Sequence, residues 1–158
     1  MEEQVVSTVQ KGAIGEAIIA AWLAIGSDGR LSCFSPIADD GGIDLLAYDK
    51  HTGRSWPIQV KTRTKTITKN IVHFQVRRAT FNAWPNAFLI AALMSYETTK
   101  LSVRRAWLVP MGELAQVGKV SENKIVIRPS WAEESKDKYT KYRCQTMSDL
   151  VDRLLHQS

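Results

Sequence analysis

Three polar side chains fall within one short stretch of the sequence, at a spacing that suits metal-assisted chemistry. Gln59 and Lys61 stand two residues apart in a segment predicted to be a strand, so both side chains point to the same face. Asp44 lies on the preceding predicted strand. A turn centred near residue 51 places Asp44 opposite residue 58 or 59, depending on a bulge at Gly53. The register with residue 59 gathers Asp44, Gln59 and Lys61 into one cluster.

Phosphodiester hydrolysis is the chemistry that such a cluster supports. The Asp44 carboxylate and the Gln59 amide oxygen, together with the Val60 backbone carbonyl and water, are hard ligands that suit Mg²⁺, for which Mn²⁺ substitutes. A metal ion at this place stabilises charge on a phosphate and lowers the pKa of a bound water. Lys61 beside it would orient the attacking water or neutralise charge that develops in the transition state.

Glu16 is a fourth candidate, on a predicted helix that is apolar on most of its faces. A buried carboxylate needs a partner, and either a metal ion or Lys61 would serve; the alternative is a surface glutamate in the early turns of the helix. Gly12 and Gly15 precede it in the same helix, and two helical glycines, each costing about 1 kcal/mol, usually mark a close approach of backbones. Lys11 in the same stretch would suit a phosphate contact.

Three segments together resemble successive motifs of the PD-(D/E)XK nuclease superfamily: Lys11-Gly12-Ala13-Ile14-Gly15-Glu16, Asp40-Gly41-Gly42-Ile43-Asp44 and Ile58-Gln59-Val60-Lys61-Thr62. The Gln-x-Lys variant is similar to that of Mrr-like restriction enzymes and of group I intron homing endonucleases, and the first segment resembles archaeal Holliday junction resolvases. The resemblance covers about residues 11–65. It implies a restriction-endonuclease-like core in which Asp44, Gln59, Val60 and Glu16 surround the metal and Lys61 assists the attacking water. The sequence departs from the family at Ile43, where the motif's proline would stand, and at Gln59, which replaces the commoner acid.

The elements that must position these residues follow from the apolar pattern. A helix is predicted from about Val5 to Ile25, with a buried stripe of Ile14, Ala17, Ile18, Ala21, Trp22 and Ile25. Strands are predicted at 31–35, 43–48, 55–62, 71–76, 87–93, 106–109 and 124–128, with a short helix at 112–117 and a final helix to about Leu155. We therefore expect one α/β domain over residues 1–158, with a central mixed β-sheet of about five strands flanked by helices.

Positive charge is concentrated in the middle of the chain. The net charge is +5, and no acidic residue occurs between Asp49 and Glu97. Such a segment attracts polyanions, nucleic acid first among them, although a solvated basic face without a partner is the alternative. Six basic residues, in the first motif, directly after the third or after the next predicted strand, are predicted to hold the phosphate backbone of duplex or branched DNA: Lys11, Arg63, Lys65, Lys69, Arg77 and Arg78.

The cysteine and histidine content and the lack of a targeting segment indicate where the protein works in the cell. Two distant cysteines and three scattered histidines suggest neither a disulfide nor a zinc site, so we expect a cytoplasmic protein. No signal peptide or membrane span is predicted, hence no membrane partner. The sequence thus predicts a metal-dependent DNA endonuclease, which as in many relatives is a possible homodimer. The alternative is a catalytically inactive, nuclease-derived DNA-binding module.

Overall fold

The computed structural model describes residues 6–38, 41–97 and 100–157, and its centre is a six-stranded mixed sheet. The sheet has the order β1-β2-β3-β5-β6-β9; among these described strands, β3 and β5 pair in parallel and the other neighbours pair antiparallel. Its strands are β1 (Leu31–Phe34), β2 (Leu45–Asp49), β3 (Ser55–Arg63), β5 (Phe88–Glu97), β6 (Lys100–Pro110) and β9 (Arg143–Cys144). The predicted mixed sheet flanked by helices is confirmed, with six strands where about five were expected.

A second, smaller sheet covers part of the main one and was not predicted as a separate unit. It has the order β4-β8-β7, all antiparallel, with β4 at Phe74–Arg77, β7 at Lys119–Val120 and β8 at Lys124–Ile127. The sequence indicated strands at β4 and β8 but not their pairing. Ile71, the predicted start of the first of these strands, forms only an isolated bridge with Ser130.

The helices and the small sheet enclose two hydrophobic cores, one on each face of the main sheet. Helices α1 (Thr8–Gly26) and α3 (Met147–Leu155) close the first core, and α2 (Met111–Val117) and the small sheet close the second. Side chains alternate along β3, so Ile58 and Val60 enter the first core. Gln59 and Lys61 take the register of Leu89 and Ala91, which belong to the second.

Helix α1 begins with a capping box, since the Ser7 hydroxyl accepts from the Gln10 N–H and the Gln10 side chain accepts from the Ser7 N–H. The predicted buried stripe is wrong: Ala17, Ala21 and Ile25 are exposed, and Ile14, Ile18 and Trp22 are only partly buried. The buried line is instead Gly15, Ile19 and Leu23. Because the helix is apolar on most faces, hydrophobic periodicity could not select the face that packs.

The same composition makes α1 long and apolar enough to cross a membrane, which the sequence analysis did not anticipate. Core helices pass this test as well, and the side chains of Ile19 and Leu23 are fully buried in the first core. In this structure α1 therefore serves as a packing helix. The predicted residue Val5 lies outside the described residues.

The hairpin that joins β2 to β3 is held by Asp49, whose side chain is 1% exposed. Its carboxylate accepts two hydrogen bonds from the Arg30 guanidinium, at 2.8 and 2.7 Å, and others from the His51 N–H and the Thr52 hydroxyl. The hydrogen bond from Arg30 holds the pKa of Asp49 well below its usual range. Gly53 closes the turn with φ of 73°, a conformation that favours glycine. This turn sets the register that brings the candidate site together.

Candidate active site

The hairpin register places Asp44 beside the Gln-x-Lys segment. Leu45 pairs with Ile58, so continuing the ladder by one residue puts Asp44 opposite Gln59. Of the two predicted registers, with Asp44 opposite residue 58 or 59, this is the one that gathers the cluster. The Asp44 N–H donates to the Ile58 carbonyl at 2.9 Å, and the Asp44 Oδ2 accepts from the Val60 N–H at 2.7 Å. The carboxylate is therefore fastened to the backbone between Gln59 and Lys61.

The Gln59 side chain is 4% exposed, and within the described chain its Oε1 accepts no hydrogen bond. A buried carbonyl oxygen left without a partner costs about 1–3 kcal/mol. A water molecule or a cation at this oxygen would remove that cost. Gln59 thus offers a buried amide oxygen, a possible metal ligand, on the residue opposite Asp44.

Glu16 and Lys61 line one groove between α1 and β3. Its lining residues, which we call the α1–β3 groove, are Thr8, Lys11, Gly12, Glu16, Val60, Lys61, Thr62, Arg63, Thr64 and Lys65, around a cavity of about 390 Å³. Glu16 is the one acidic residue among them, and its side chain is half-buried. The groove gathers a carboxylate, four cationic side chains and several threonines within one opening.

A close contact between α1 and β3 shapes the groove. A Cβ added to Gly15 would lie 2.5 Å from Thr62 Cγ2 and 2.7 Å from Thr62 Oγ1. Only a glycine allows this approach, as the sequence suggested. The corresponding expectation for Gly12 is wrong, because a Cβ there would meet nothing within 4 Å.

The structure separates the six predicted DNA-contacting residues into groups. Lys11, Arg63 and Lys65 line the α1–β3 groove together with Lys61. Lys69 borders a different recess, near Ser130. Arg77 and Arg78 border a third. Proximity in sequence therefore does not bring Lys69, Arg77 and Arg78 into the groove, because the chain leaves it after Lys65.

Two solved structures are similar to this chain. No protein-family model matches it, and no curated protein sequence matches it significantly. A bacterial homing endonuclease, I-Ssp6803I, has a similar structure, with a TM-score of 0.61 and 19% identity over 97% of this chain and 95% of that one. Hjc, a Holliday junction resolvase from the archaeal hyperthermophile Archaeoglobus fulgidus, superposes over 74% of this chain and 83% of its own, with a TM-score of 0.48 and 14% identity.

The first similarity shows the fold. It extends over nearly the whole of both chains, so the two proteins share their overall fold. At 19% identity it carries no assignment of individual residues.

The oxygen donors around Asp44 fit a hard divalent cation. Within residues 6–38, 41–97 and 100–157, no group of three or more His, Cys, Asp or Glu side chains could hold a metal ion. A site here must therefore use the neutral Gln59 amide and backbone oxygen in addition to carboxylates. The partnerless Gln59 Oε1 beside a positioned carboxylate meets that requirement, and such all-oxygen sets suit Mg²⁺ or Mn²⁺.

A second recess opens on the Gln59 side of β3 and was missed by the sequence analysis. Gly42, Gln59, Asn82 and Trp84 are among its lining residues. Trp84 is 44% exposed. The Ala87 N–H donates to the Trp84 carbonyl at 3.0 Å across Pro85, a β-turn that holds this loop. The Trp-Pro pair was the available sequence signal for this turn.

Proposed function

We propose that this protein is a metal-dependent DNA endonuclease of the PD-(D/E)XK type. One observation carries the proposal: Glu16 and Lys61 share a groove with Lys11, Arg63 and Lys65, next to the carboxylate of Asp44. Acidic oxygens alone would repel a phosphodiester, and cations alone would only bind it. Both together allow binding and hydrolysis.

Each group has a role in this proposal. Asp44 and Gln59, with the Val60 carbonyl and Glu16, would hold Mg²⁺ or Mn²⁺. When bound, the ion would supply Lewis-acid stabilisation of phosphate charge and a more acidic water. Lys61 orients the attacking water and offsets charge on the phosphate.

The basic residues of the groove hold the DNA. Lys11, Arg63 and Lys65 contact phosphate oxygens, which gives affinity without sequence information. Similarity in fold to a bacterial homing endonuclease is consistent with a DNA substrate. Cutting both strands of a duplex calls for two sites, so the proposal includes a homodimer, which the molar mass from light scattering would test.

A specific observation favours the alternative, a binding module derived from a nuclease that no longer cuts. Gln59 is neutral where the family's commoner residue is an acid, and the described residues contain no carboxylate- and histidine-rich cluster. Fewer negative ligands weaken metal binding. Metal-dependent cleavage therefore separates the two functions.

The test is cleavage of supercoiled plasmid and of a four-way junction with Mg²⁺ or Mn²⁺. Wild type should cut, and Asp44→Ala and Lys61→Ala should each abolish cutting while still folding. Lys50→Ala is the matched control, because Lys50 is an exposed lysine at the far end of the same hairpin. DNA binding without cutting under either metal would support the binding module. Cutting that survives both substitutions would refute the site.

A further inference from the structure

The outer face of the small sheet carries a second concentration of positive charge. Arg77 pairs with Lys124, and Lys119 pairs with Val126, so these side chains share one face. Extending the β4–β8 register places His73 opposite Arg128 on the same face. We call this surface the β4–β8 basic face, formed by His73, Gln75, Arg77, Lys119, Lys124 and Arg128.

The alternation along these strands separates the two faces cleanly. Phe74, Val76, Ile125 and Ile127 point inward and are buried in the second core. Gln75, Arg77, Lys124 and Arg128 are exposed. Val126 faces outward but is only 7% exposed. The charges are therefore held on a rigid, buried scaffold.

Electrostatic and hydrogen-bond contacts show that these groups are close together. Lys124 Nζ donates to Gln75 Oε1 at 3.4 Å. The pKa of His73 is lowered, first by burial and then by the positive charges of Arg128, Arg63 and Lys124, with a hydrogen bond to Gln75 opposing the shift. At neutral pH, His73 thus adds no charge of its own, and the cations around it form one continuous field.

Arg63 connects this face with the α1–β3 groove. Its Nε donates to the His73 carbonyl at 3.0 Å, and Arg63 is also one of the residues that line the groove. The positive surface therefore continues from the groove across Arg63 and His73 onto the outer face of the small sheet.

We propose that the β4–β8 basic face binds the sugar–phosphate backbone of duplex DNA that flanks the position cut in the groove. This inference rests on the proposed function and adds a second contact to it. Between Arg128 and Lys124 the strand spans about 13 Å at its usual rise. A duplex carries one negative charge per about 1.7 Å of its axis, so this length faces several phosphates.

A duplex fits this face better than a single strand does. Proteins that bind single strands stack the bases on aromatic side chains. On the β4–β8 basic face, the described outward positions carry cations, an amide, Val126 and the half-buried His73 imidazole. None of them is a Phe, Tyr or Trp, and the aromatic ring of Phe74 is buried inward. Charges without stacking platforms bind a backbone rather than unpaired bases.

The test measures duplex binding in Ca²⁺ or EDTA, so that cleavage does not interfere, by nitrocellulose filter binding between 50 and 300 mM salt. The variant is the triple substitution Arg77→Gln, Lys124→Gln and Arg128→Gln, at three exposed positions. If each side chain contacts one phosphate, the slope of log affinity against log salt should become shallower by about 2.7. Wild type should bind a 30-base-pair duplex more tightly than a 12-base-pair one, and the variant should lose that advantage.

The matched control removes the same net charge elsewhere: Lys50→Gln, Lys136→Gln and Lys138→Gln, all at exposed positions on other loops. It should retain the wild-type slope. If the triple variant unfolds, the single substitutions Lys124→Gln and Arg128→Gln provide the test. Each should make the slope of log affinity against log salt shallower by about 0.9.

Other outcomes would overturn the inference. Equal slopes for the triple variant and its control would show that the face does not contact DNA, even if Arg63→Gln and Lys65→Gln still weaken binding in the groove. Tighter binding to single-stranded DNA or RNA than to a duplex would exclude a duplex as the preferred occupant. If wild type sediments with phosphatidylserine vesicles and the triple variant does not, while both bind the duplex equally, the face would be assigned to a membrane surface. Failure of the proposed endonuclease is distinct, because wild type would then bind DNA without cutting it in Mg²⁺ or Mn²⁺, or would bind no DNA at all.

Discussion

The contact between Gly15 and Thr62 yields a sharp prediction about how α1 is positioned. Gly15→Ala should destabilise the protein, whereas Gly12→Ala, the same change three residues earlier in the same helix, should stabilise it. The added methyl group meets Thr62 Cγ2 at 2.5 Å, Thr62 Oγ1 at 2.7 Å and Thr62 Cβ at 3.1 Å in the first case, and nothing within 4 Å in the second.

The magnitude follows from two opposing effects. Replacing a helical glycine by alanine gains about 1 kcal/mol from backbone entropy and solvation. Overpacking against a neighbour costs about 1–3 kcal/mol, and rotating Thr62 about χ1 cannot relieve the contact with its Cβ. At Gly12 only the gain applies. We therefore expect the two variants to differ by about 2 kcal/mol in the free energy of unfolding.

Urea denaturation of both variants measures this difference directly. A second substitution, Thr62→Ala, removes the two nearest atoms and should recover most of the loss in the Gly15→Ala background, giving a coupling energy of about 1–2 kcal/mol. Since Glu16 follows Gly15, a displaced α1 should also move Glu16. The cleavage rate of Gly15→Ala should therefore fall by more than the loss of folded protein explains. If Gly15→Ala is as stable as Gly12→Ala, the packing argument is refuted.

Three further predictions concern other parts of the chain. Asp49→Ala should lower the free energy of unfolding by about 1–3 kcal/mol, because it removes the acceptor of the hydrogen bonds from Arg30, the His51 N–H and the Thr52 hydroxyl. The folded pKa of Asp49 is depressed, so its stabilising effect is present above about pH 4 and is lost as the pH falls. Parallel curves of stability against pH for wild type and variant would contradict this. Burial raises the pKa of Cys33 to about 11 and that of Cys144 to about 12. At pH 8, a disulfide reagent should therefore label both thiols at least about a hundredfold more slowly in the native protein than in urea. Rapid labelling of the native protein would contradict this prediction. Gln59→Glu should tighten Mn²⁺ binding in calorimetry while lowering stability without metal, and an unchanged Mn²⁺ affinity would argue against Gln59 as a ligand.

The local features of the candidate site could be predicted from the sequence because they depend on neighbouring residues. The turn from Asp49 to Gly53 restricts the hairpin to two registers, which limits what can stand opposite Asp44. Alternation along β3 then puts Gln59 and Lys61 on one side. The roles of these residues remain predictions.

The features that could not be predicted depend on contacts between distant parts of the chain. The packing face of α1 could not be chosen from its apolar residues, which favour no single face, and it includes the close approach of Gly15 to Thr62. The small sheet pairs β4 with β8 across an interval that contains two strands of the main sheet, and no local pattern encodes such a pairing. For the same reason, Arg77 lies beside Lys124 rather than beside Lys65.

The exposed position of Trp84 gives the protein an intrinsic optical reporter. Of the five tryptophans, Trp56 and Trp107 are buried and Trp22 and Trp131 are half-buried, so dissolved iodide should quench chiefly the indole emission of Trp84. That ring stands at the recess lined by Gln59, where a ligand would change its surroundings. Occupancy next to the candidate site can thus be followed by light alone, without a label and in variants that have lost the capacity to cut.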